Sequence, residues 1–210
     1  MVYFVIPCRK GSKGFPLKNR YLIKYVLSQI PEEMKGNIII STDDDYISLK
    51  HGSYNIHHRP KELASDIASM KHVLQDISIK YQMNPEDKIF MLYTTYPQRT
   101  WKEILNFIRH FKTSGAKSQL CKKGVKNHPY LCIDKSGKQI IKHNLCRRQD
   151  YPEVFEISHY MYMCDVAEIP FLNNNLYNDE TNYILIDDRF DIDSQEDYDA
   201  FKKSTSNVNG

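Results

Sequence analysis

The stretch Val2-Tyr3-Phe4-Val5-Ile6-Pro7, running into Cys8-Arg9-Lys10-Gly11-Ser12-Lys13-Gly14-Phe15-Pro16-Leu17-Lys18-Asn19, decides the fold. An apolar hexad of β-branched and aromatic residues predicts a buried strand. The loop after it carries two glycines, a serine, a proline and four cations before Asn19. Gly11 and Gly14 can adopt positive φ and let a ligand approach the backbone. Successive loop N–H groups then form a concave nest for anionic oxygens, and the cations neutralise the charge. A strand feeding such a loop at the carboxyl edge of a parallel sheet is where α/β folds bind nucleotides. Most Gly/Lys-rich turns are ordinary surface loops, so this one needs a second feature elsewhere in the chain. It is not a Walker P-loop, because no Gly-Lys-Ser/Thr closes it at the required spacing.

Working outward, Tyr21 to Ile30 has apolar positions at helical spacing and stops at Pro31. Asn37 to Thr42 is a continuous branched run, a second buried strand that ends in Asp43-Asp44-Asp45. Tyr54 to His58 predicts a third strand, and a helix follows from about Ile67 to Tyr81. Lys88 to Tyr93 predicts the next strand; Thr100 with Glu103 then makes a capping box for another helix. The order β-α-β-β-α-β-α implies right-handed crossovers and a parallel sheet. Beyond it, Ser118–Lys122, Tyr130–Asp134, Gln139–Lys142, Ser158–Asp165 and Tyr183–Ile186 read as strands. The second and third of these flank Lys135-Ser136-Gly137-Lys138, a hairpin with glycine in its turn. A terminal helix starts near Ser194, and residues 206–210 read as a frayed tail. Residues 1–205 make one domain.

At 210 residues, with 41% apolar and 26% charged residues, the chain has the composition of a soluble globular protein. A net charge of +3, evenly spread, argues against nucleic acid or a membrane surface as partner. The opening hexad reads as a strand, not a signal peptide. Five widely spaced cysteines without Cys-x-x-Cys suit reduced thiols and a cytoplasmic location. The eight histidines lack metal-ligand spacing.

The second feature lies near the end. In an extended backbone, side chains two apart point the same way, so Asp191 and Asp193 present both carboxylates on one side of Ile192. Such a pair suits Mg²⁺, which takes its remaining oxygens from water and substrate phosphates. Spacing alone favours a solvated acidic turn capping a helix. A cationic, glycine-bearing loop and a dicarboxylate together form the minimal kit for moving a phosphoryl or nucleotidyl group. Arg59, fixed in an extended entry by Pro60, can meet a base or phosphate, or pair with Glu62. Arg147 and Arg148 can clamp a carboxylate or form a solvated turn. Thr95 and Tyr96 occupy a strand-end loop.

With these residues in view, the chain resembles the acylneuraminate cytidylyltransferases, the CMP-sialic acid synthetase family. Ile6 to Asn19 is similar to that family's Ile-Pro-Ala-Arg-Gly-Gly-Ser-Lys-Gly-x-Pro-x-Lys-Asn. Ser41-Thr42-Asp43 matches its Ser-Thr-Asp, and the run from Arg59 to Ser69 resembles its Arg-Pro-x-x-Leu-Ala-x-Asp-x-Ala-Ser. Arg147 to Pro152 and Asp191 to Ser194 complete the set. The resemblance implies a Rossmann-like, GT-A-like α/β nucleotidyltransferase fold, a three-layer sandwich with a mainly parallel sheet. It implies a small β-hairpin excursion, about 126–155, used in a homodimer. The implied reaction joins CTP and a nonulosonic or Kdo-like sugar acid, giving a CMP-sugar and pyrophosphate. By the same resemblance Arg9, Ser12, Lys13 and Lys18 hold the triphosphate, and Asn19, Arg59 and Ser69 face the cytidine. Asp191 and Asp193 bind Mg²⁺. Asp193, Lys18 and Arg9 carry the catalytic roles. Tyr93, Thr95, Arg148, Gln149 and Tyr162 lie on the sugar side.

The departures fall on that side. The family's Leu-Gln-Pro-Thr-Ser-Pro is Leu92-Tyr93-Thr94-Thr95-Tyr96-Pro97 here, and its Asn-Gly-Ala is Ser158-His159-Tyr160. These changes imply a sugar acid other than N-acetylneuraminate. Two alternatives stay open: a nucleotidyltransferase acting on a sugar phosphate, against which the missing Gly-x-Gly counts, and a non-catalytic CTP-binding homologue.

Overall fold

The computed structural model describes residues 1–11 and 13–206. Seven strands form one sheet: β1 (Val2–Cys8), β2 (Ile38–Thr42), β3 (Asn55–His58), β4 (Lys88–Met91), β5 (Ser118–Gly124), β6 (Phe155–Asp165) and β7 (Asn182–Leu185). Their spatial order is β3-β2-β1-β4-β6-β5-β7. Every pairing is parallel except those of β6, which runs antiparallel to both β4 and β5. The central strands are apolar throughout because helices cover both faces. Alternate β1 residues show this: Phe4 and Ile6 join one core cluster and Val5 the other. Helices α1 (Lys18–Leu27) and α4 (Trp101–Ser114) bury Ile23, Val26, Ile104 and Phe107 in the first. Helix α3 (Met70–Lys80) and the turn over Val166–Phe171 bury Val73, Leu74, Ile77 and Ile169 in the second. The three-layer α/β sandwich expected from the sequence is the fold observed.

Local chemistry sets the ends of the helices. Thr100 and Glu103 form the expected reciprocal capping box on α4, and Gly115 ends it at φ 70°. Ser69 caps α3, whose first turn therefore begins at Met70 and not at Ile67. Helix α2 (Asp45–Lys50) went unread in the acidic run, although Asp44 caps it by accepting from Tyr46 N–H. Helix α1 starts before Tyr21, entered through Leu17 at φ 59°. Helix α5 (Gln195–Ser206) closes the described chain. The frayed tail expected over 206–210 lies outside the described residues from 207 on. No helix among the described residues is long and apolar enough to cross a membrane.

The hairpin expected over 130–142 is not a pair of strands. It shrinks to one bridge, Ile133 with Gln139, closed by Gly137 at φ 82°. Asp134 accepts from the backbone N–H groups of Ser136 and Lys138, so side-chain bonding takes the place of a ladder. The segment between β5 and β6 is instead held by four rings, with Tyr130 and His143 stacked at 4.4 Å and Tyr151 and His128 packed edgewise on them.

Candidate nucleotide-transfer site

The carboxyl ends of β1, β3 and β4 open onto a cleft of about 560 Å³. Arg9, Lys18, Asn19, Arg59, Tyr93, Thr95, Asp191 and Asp193 line it. The loop after β1 and the acidic stretch before α5 thus meet across one crevice. Ile192 N–H donates to Thr95 O at 2.9 Å, tying that stretch to the loop after β4. Ser194 and Asp197 cap α5 reciprocally and hold its other end. Beneath the cleft Phe15, Leu22, Ile192 and Phe201 form a small core of their own, so a loop residue and the residue between the two aspartates share one apolar contact region. Lys18 Nζ lies 2.7 Å from Asp193 Oδ1.

The glycines work differently from expectation. Among the described glycines only Gly115 and Gly137 take positive φ; Gly11 and Gly14 do not. Gly14 is needed because a Cβ there would stand 2.7 Å from the Asp193 carbonyl oxygen. Glycine serves here as a spacer that lets the cationic loop touch the acidic stretch.

The cations arrive with partners. Arg9 Nη1 and Lys13 Nζ both grip Asp66, at 2.6 and 2.7 Å, and the two together hold its carboxyl below the usual range. Asn19 donates to Arg9 O and accepts from Thr94 Oγ1 at 2.5 Å, joining the β1 and β4 loops. Ser12 lies outside the described residues. Asp191 is the odd member. Burial pushes its carboxyl up, with Asp193 adding to the push, against the pull of Thr95, Tyr96 and Lys18. Its Oδ1 is buried without a hydrogen-bond partner. A buried, unpartnered carboxylate oxygen beside a second carboxylate is a cation-binding arrangement. Among the described residues no group of three or more His, Cys, Asp or Glu could hold a metal. Two carboxylates can supply only part of a metal ion's shell, so a cation held there would take its remaining oxygens from water or a ligand. Cys8, at the end of β1, is buried and its thiol is pushed up to about 12 by desolvation, which rules it out as a thiolate nucleophile at neutral pH.

The sugar-side residues divide. Tyr93 and Thr95 line the cleft; Ser69, expected on the cytidine side, lies in an adjoining hollow that shares Met70, Tyr93 and His159 with it. Tyr162 does not face the cleft: it is fully buried opposite Leu120 and Met91, in the core on the α3 side. The cause is a bulge in β6, which pairs Leu120 with Tyr162 but the next residue, Cys121, with Ser158. The bulge places His159, not Tyr162, in the cleft wall, edge-on to Tyr93 at 5.9 Å. Arg148 and Gln149 also stand away from it, exposed on a single turn of the 125–154 segment. Arg147 there pairs with Asp150 at 3.0 Å.

Three contributors escaped the sequence reading. Lys123 and Glu156 pair in register at the ends of β5 and β6 and reach the cleft; only knowing that these strands are neighbours could have found them. Arg99, buried between the rings of Tyr96 and Tyr160, donates from Nη2 to Tyr93 O and fixes the loop after β4.

A cationic strand-end loop facing a carboxylate pair on such a sheet defines a nucleotidyltransferase class of site. A family model described as Cytidylyltransferase matches residues 3–207, and the chain belongs to that family. The chain is 24% identical to CMP-N,N'-diacetyllegionaminic acid synthase of Legionella pneumophila, covering 95% of this chain and 94% of that protein. It is also 24% identical to post-translational flagellin modification protein B of Campylobacter coli, with coverage of 92% and 90%. Among solved structures, CMP:2-keto-3-deoxy-manno-octonic acid synthetase complexed with CTP superposes with a TM-score of 0.66 at 8% identity, over 99% of both chains. A 4-diphosphocytidyl-2C-methyl-D-erythritol synthase from Anaerococcus prevotii reaches a TM-score of 0.62 at 15% identity, over 98% of this chain and 96% of that one. These likenesses bear on the fold.

Proposed function

We propose that the protein activates a nonulosonic-type sugar acid with CTP, giving the CMP-sugar and pyrophosphate. The observation that carries this reading is the meeting of the cationic loop after β1 and the acidic stretch before α5 at one cleft, where Lys18 and Asp193 make contact at 2.7 Å. The names of the relatives from Legionella pneumophila and Streptococcus agalactiae, the latter N-acylneuraminate cytidylyltransferases, support the acceptor class.

In the reaction the anomeric hydroxyl oxygen bonds to the α-phosphorus while the bond to the β-phosphate breaks and pyrophosphate leaves with the electron pair. Arg9, Lys13 and Lys18 balance the triphosphate charge, and Asn19 and Arg59 face the nucleoside. Asp191 and Asp193 would hold Mg²⁺, which supplies charge stabilisation on the phosphates when bound. In this reading one of the two aspartates takes the hydroxyl proton. No covalent enzyme intermediate is required, since positioning and charge stabilisation carry nucleotidyl transfer as they do phosphoryl transfer. Tyr93 and His159 replace smaller or more polar family residues in the cleft wall, which supports a legionaminic, pseudaminic or Kdo-like acid over N-acetylneuraminate. The test is pyrophosphate release with CTP, Mg²⁺ and a panel of these acids. Silence across the panel, together with no CTP binding, overturns the reading.

Lys18→Ala is expected to raise the KM for CTP about tenfold or more, because its charge-assisted contacts to phosphate are lost. Steady-state kinetics at varied CTP checks this, and an unchanged KM would remove Lys18 from the triphosphate.

The homodimer belongs to the same reading. Ile133 and Ile140 are 63% and 64% exposed on the 125–154 segment, alongside exposed Leu131, Ile141 and Leu145. Such a patch marks an interface. Ile133→Glu with Ile140→Glu should convert a dimer to a monomer in sedimentation velocity; a wild-type monomer sinks the proposal.

A further inference from the structure

Strands β2 and β3 run side by side in parallel, with Ser41 paired to His57. Ser41 Oγ lies 2.9 Å from His57 Nδ1, and His57 Nε2 lies 2.6 Å from Asp76 Oδ2 on α3. From the other side Arg59 reaches the same serine, Nε to Oγ and Nη2 to the backbone oxygen, both at 3.2 Å. Ser41 and His57 have no solvent exposure.

The donor and acceptor inventory gives this chain a single direction. An ionised carboxylate only accepts, so His57 Nε2 carries the proton and Nδ1 is the acceptor. The Ser41 hydroxyl then donates to Nδ1, and its oxygen takes the N–H of Arg59 Nε. Each link from Asp76 to Arg59 Nε then has one donor and one acceptor. Burial lowers the affinity of His57 for a second proton, although Asp76 opposes this, and a neutral ring is what the chain requires. The arrangement has the residue types of a hydrolytic Asp-His-Ser triad, but Ser41 is sealed from solvent and faces a guanidinium. No acyl group can reach it.

The member that does reach the cleft is Arg59. It differs from the neighbouring cations: Arg9, Lys13 and Lys18 each pair with a carboxylate, whereas among the described residues no carboxylate lies within 4.0 Å of Arg59. Its orientation is set by neutral acceptors, which leaves the guanidinium without an ion-pair partner. We propose that Asp76, His57 and Ser41 are positioning residues for Arg59, fixing the guanidinium in the orientation that receives the nucleotide. This rests on the reading of the cleft as a CTP site.

A double-mutant cycle separates positioning from structure. CTP binding in the presence of Mg²⁺ is measured by calorimetry for wild type, Asp76→Asn, Arg59→Ala and the double variant, with thermal melts alongside. Asp76→Asn is isosteric and half-exposed, and Ser41→Ala provides a second break in the chain. Each is expected to weaken CTP binding about fivefold, the loss of one oriented hydrogen bond. Both losses should vanish in the Arg59→Ala background. The proposal is overturned if Asp76→Asn binds CTP like wild type, or if its loss adds in full to that of Arg59→Ala. It is also overturned, with the CTP reading intact, if Arg59→Ala binds CTP normally. A wild-type protein that does not bind CTP refutes the cleft reading first and the positioning role with it.

Discussion

Asp191→Asn is expected to melt several degrees above the wild type in the absence of metal and to release pyrophosphate about 10²–10³ times more slowly. The two effects share one cause. Desolvation raises the folded-state affinity of the Asp191 carboxyl for its proton, with Asp193 adding to it. A carboxyl that binds its proton more tightly when folded makes the folded state less stable wherever it must ionise. That penalty is complete above the folded-state pKa and disappears as pH falls below the ordinary carboxylate value. The amide carries no charge to desolvate, so the variant gains stability at neutral pH. The difference between the two proteins should close on acidification. With the proposed Mg²⁺ bound the sign is expected to reverse, because a ligand that binds the folded wild type stabilises it and the variant lacks one carboxylate of the pair. Melts at pH 7 and pH 4, with and without Mg²⁺ and CTP, check each step. A variant less stable than wild type at pH 7 without metal contradicts the account of Asp191. One with normal turnover removes it from the reaction.

The parts that could be read from sequence were those with local causes. The β1 hexad, the branched run of β2 and the α4 capping box each specify their structure within a few residues, and each stands where expected. The dicarboxylate was legible because two-residue alternation puts both groups on one side, and a basic loop elsewhere in the chain implied a shared ligand. What failed depended on long-range pairing. Tyr162 alternates correctly along β6, but the bulge against β5 shifts its face, and nothing within Ser158–Asp165 announces a bulge. Lys123 and Glu156 become neighbours only through the register of strands more than thirty residues apart. The Tyr130–Lys142 hairpin had the right turn residue, yet its backbone found partners in the Asp134 side chain and its rings found each other. The Asp76–His57–Ser41 chain joins two strands and a helix, and no spacing rule points to it.

The two glycines of the opening loop offer the sharpest test of how the cleft is built. Gly14→Ala is expected to lower turnover about 100-fold, whereas Gly11→Ala leaves it near wild type. Neither glycine takes positive φ, so alanine strains neither backbone. The difference is contact. A Cβ at Gly11 meets nothing within 4 Å, but one at Gly14 would stand 2.7 Å from the carbonyl oxygen of Asp193 and 3.7 Å from its carbon. That neighbour is backbone, pinned by α5 capping and by the Ile192 bond to Thr95, and it has no rotamer to turn away. The loop must therefore withdraw from the acidic stretch. Withdrawal lengthens the 2.7 Å approach of Lys18 to Asp193 and pulls Phe15 away from Ile192 in the core they share. Overpacking of this kind costs about 1–3 kcal/mol, which the seven-stranded sheet absorbs without unfolding. Geometry across the cleft has no such tolerance, since a displacement of about 1 Å in a reacting constellation is worth about two orders of magnitude in rate. Initial rates of pyrophosphate release, with melting curves to confirm the fold, distinguish the two variants. Equal rates for Gly11→Ala and Gly14→Ala would mean that contact between cradle and carboxylates is not what positions the polyphosphate.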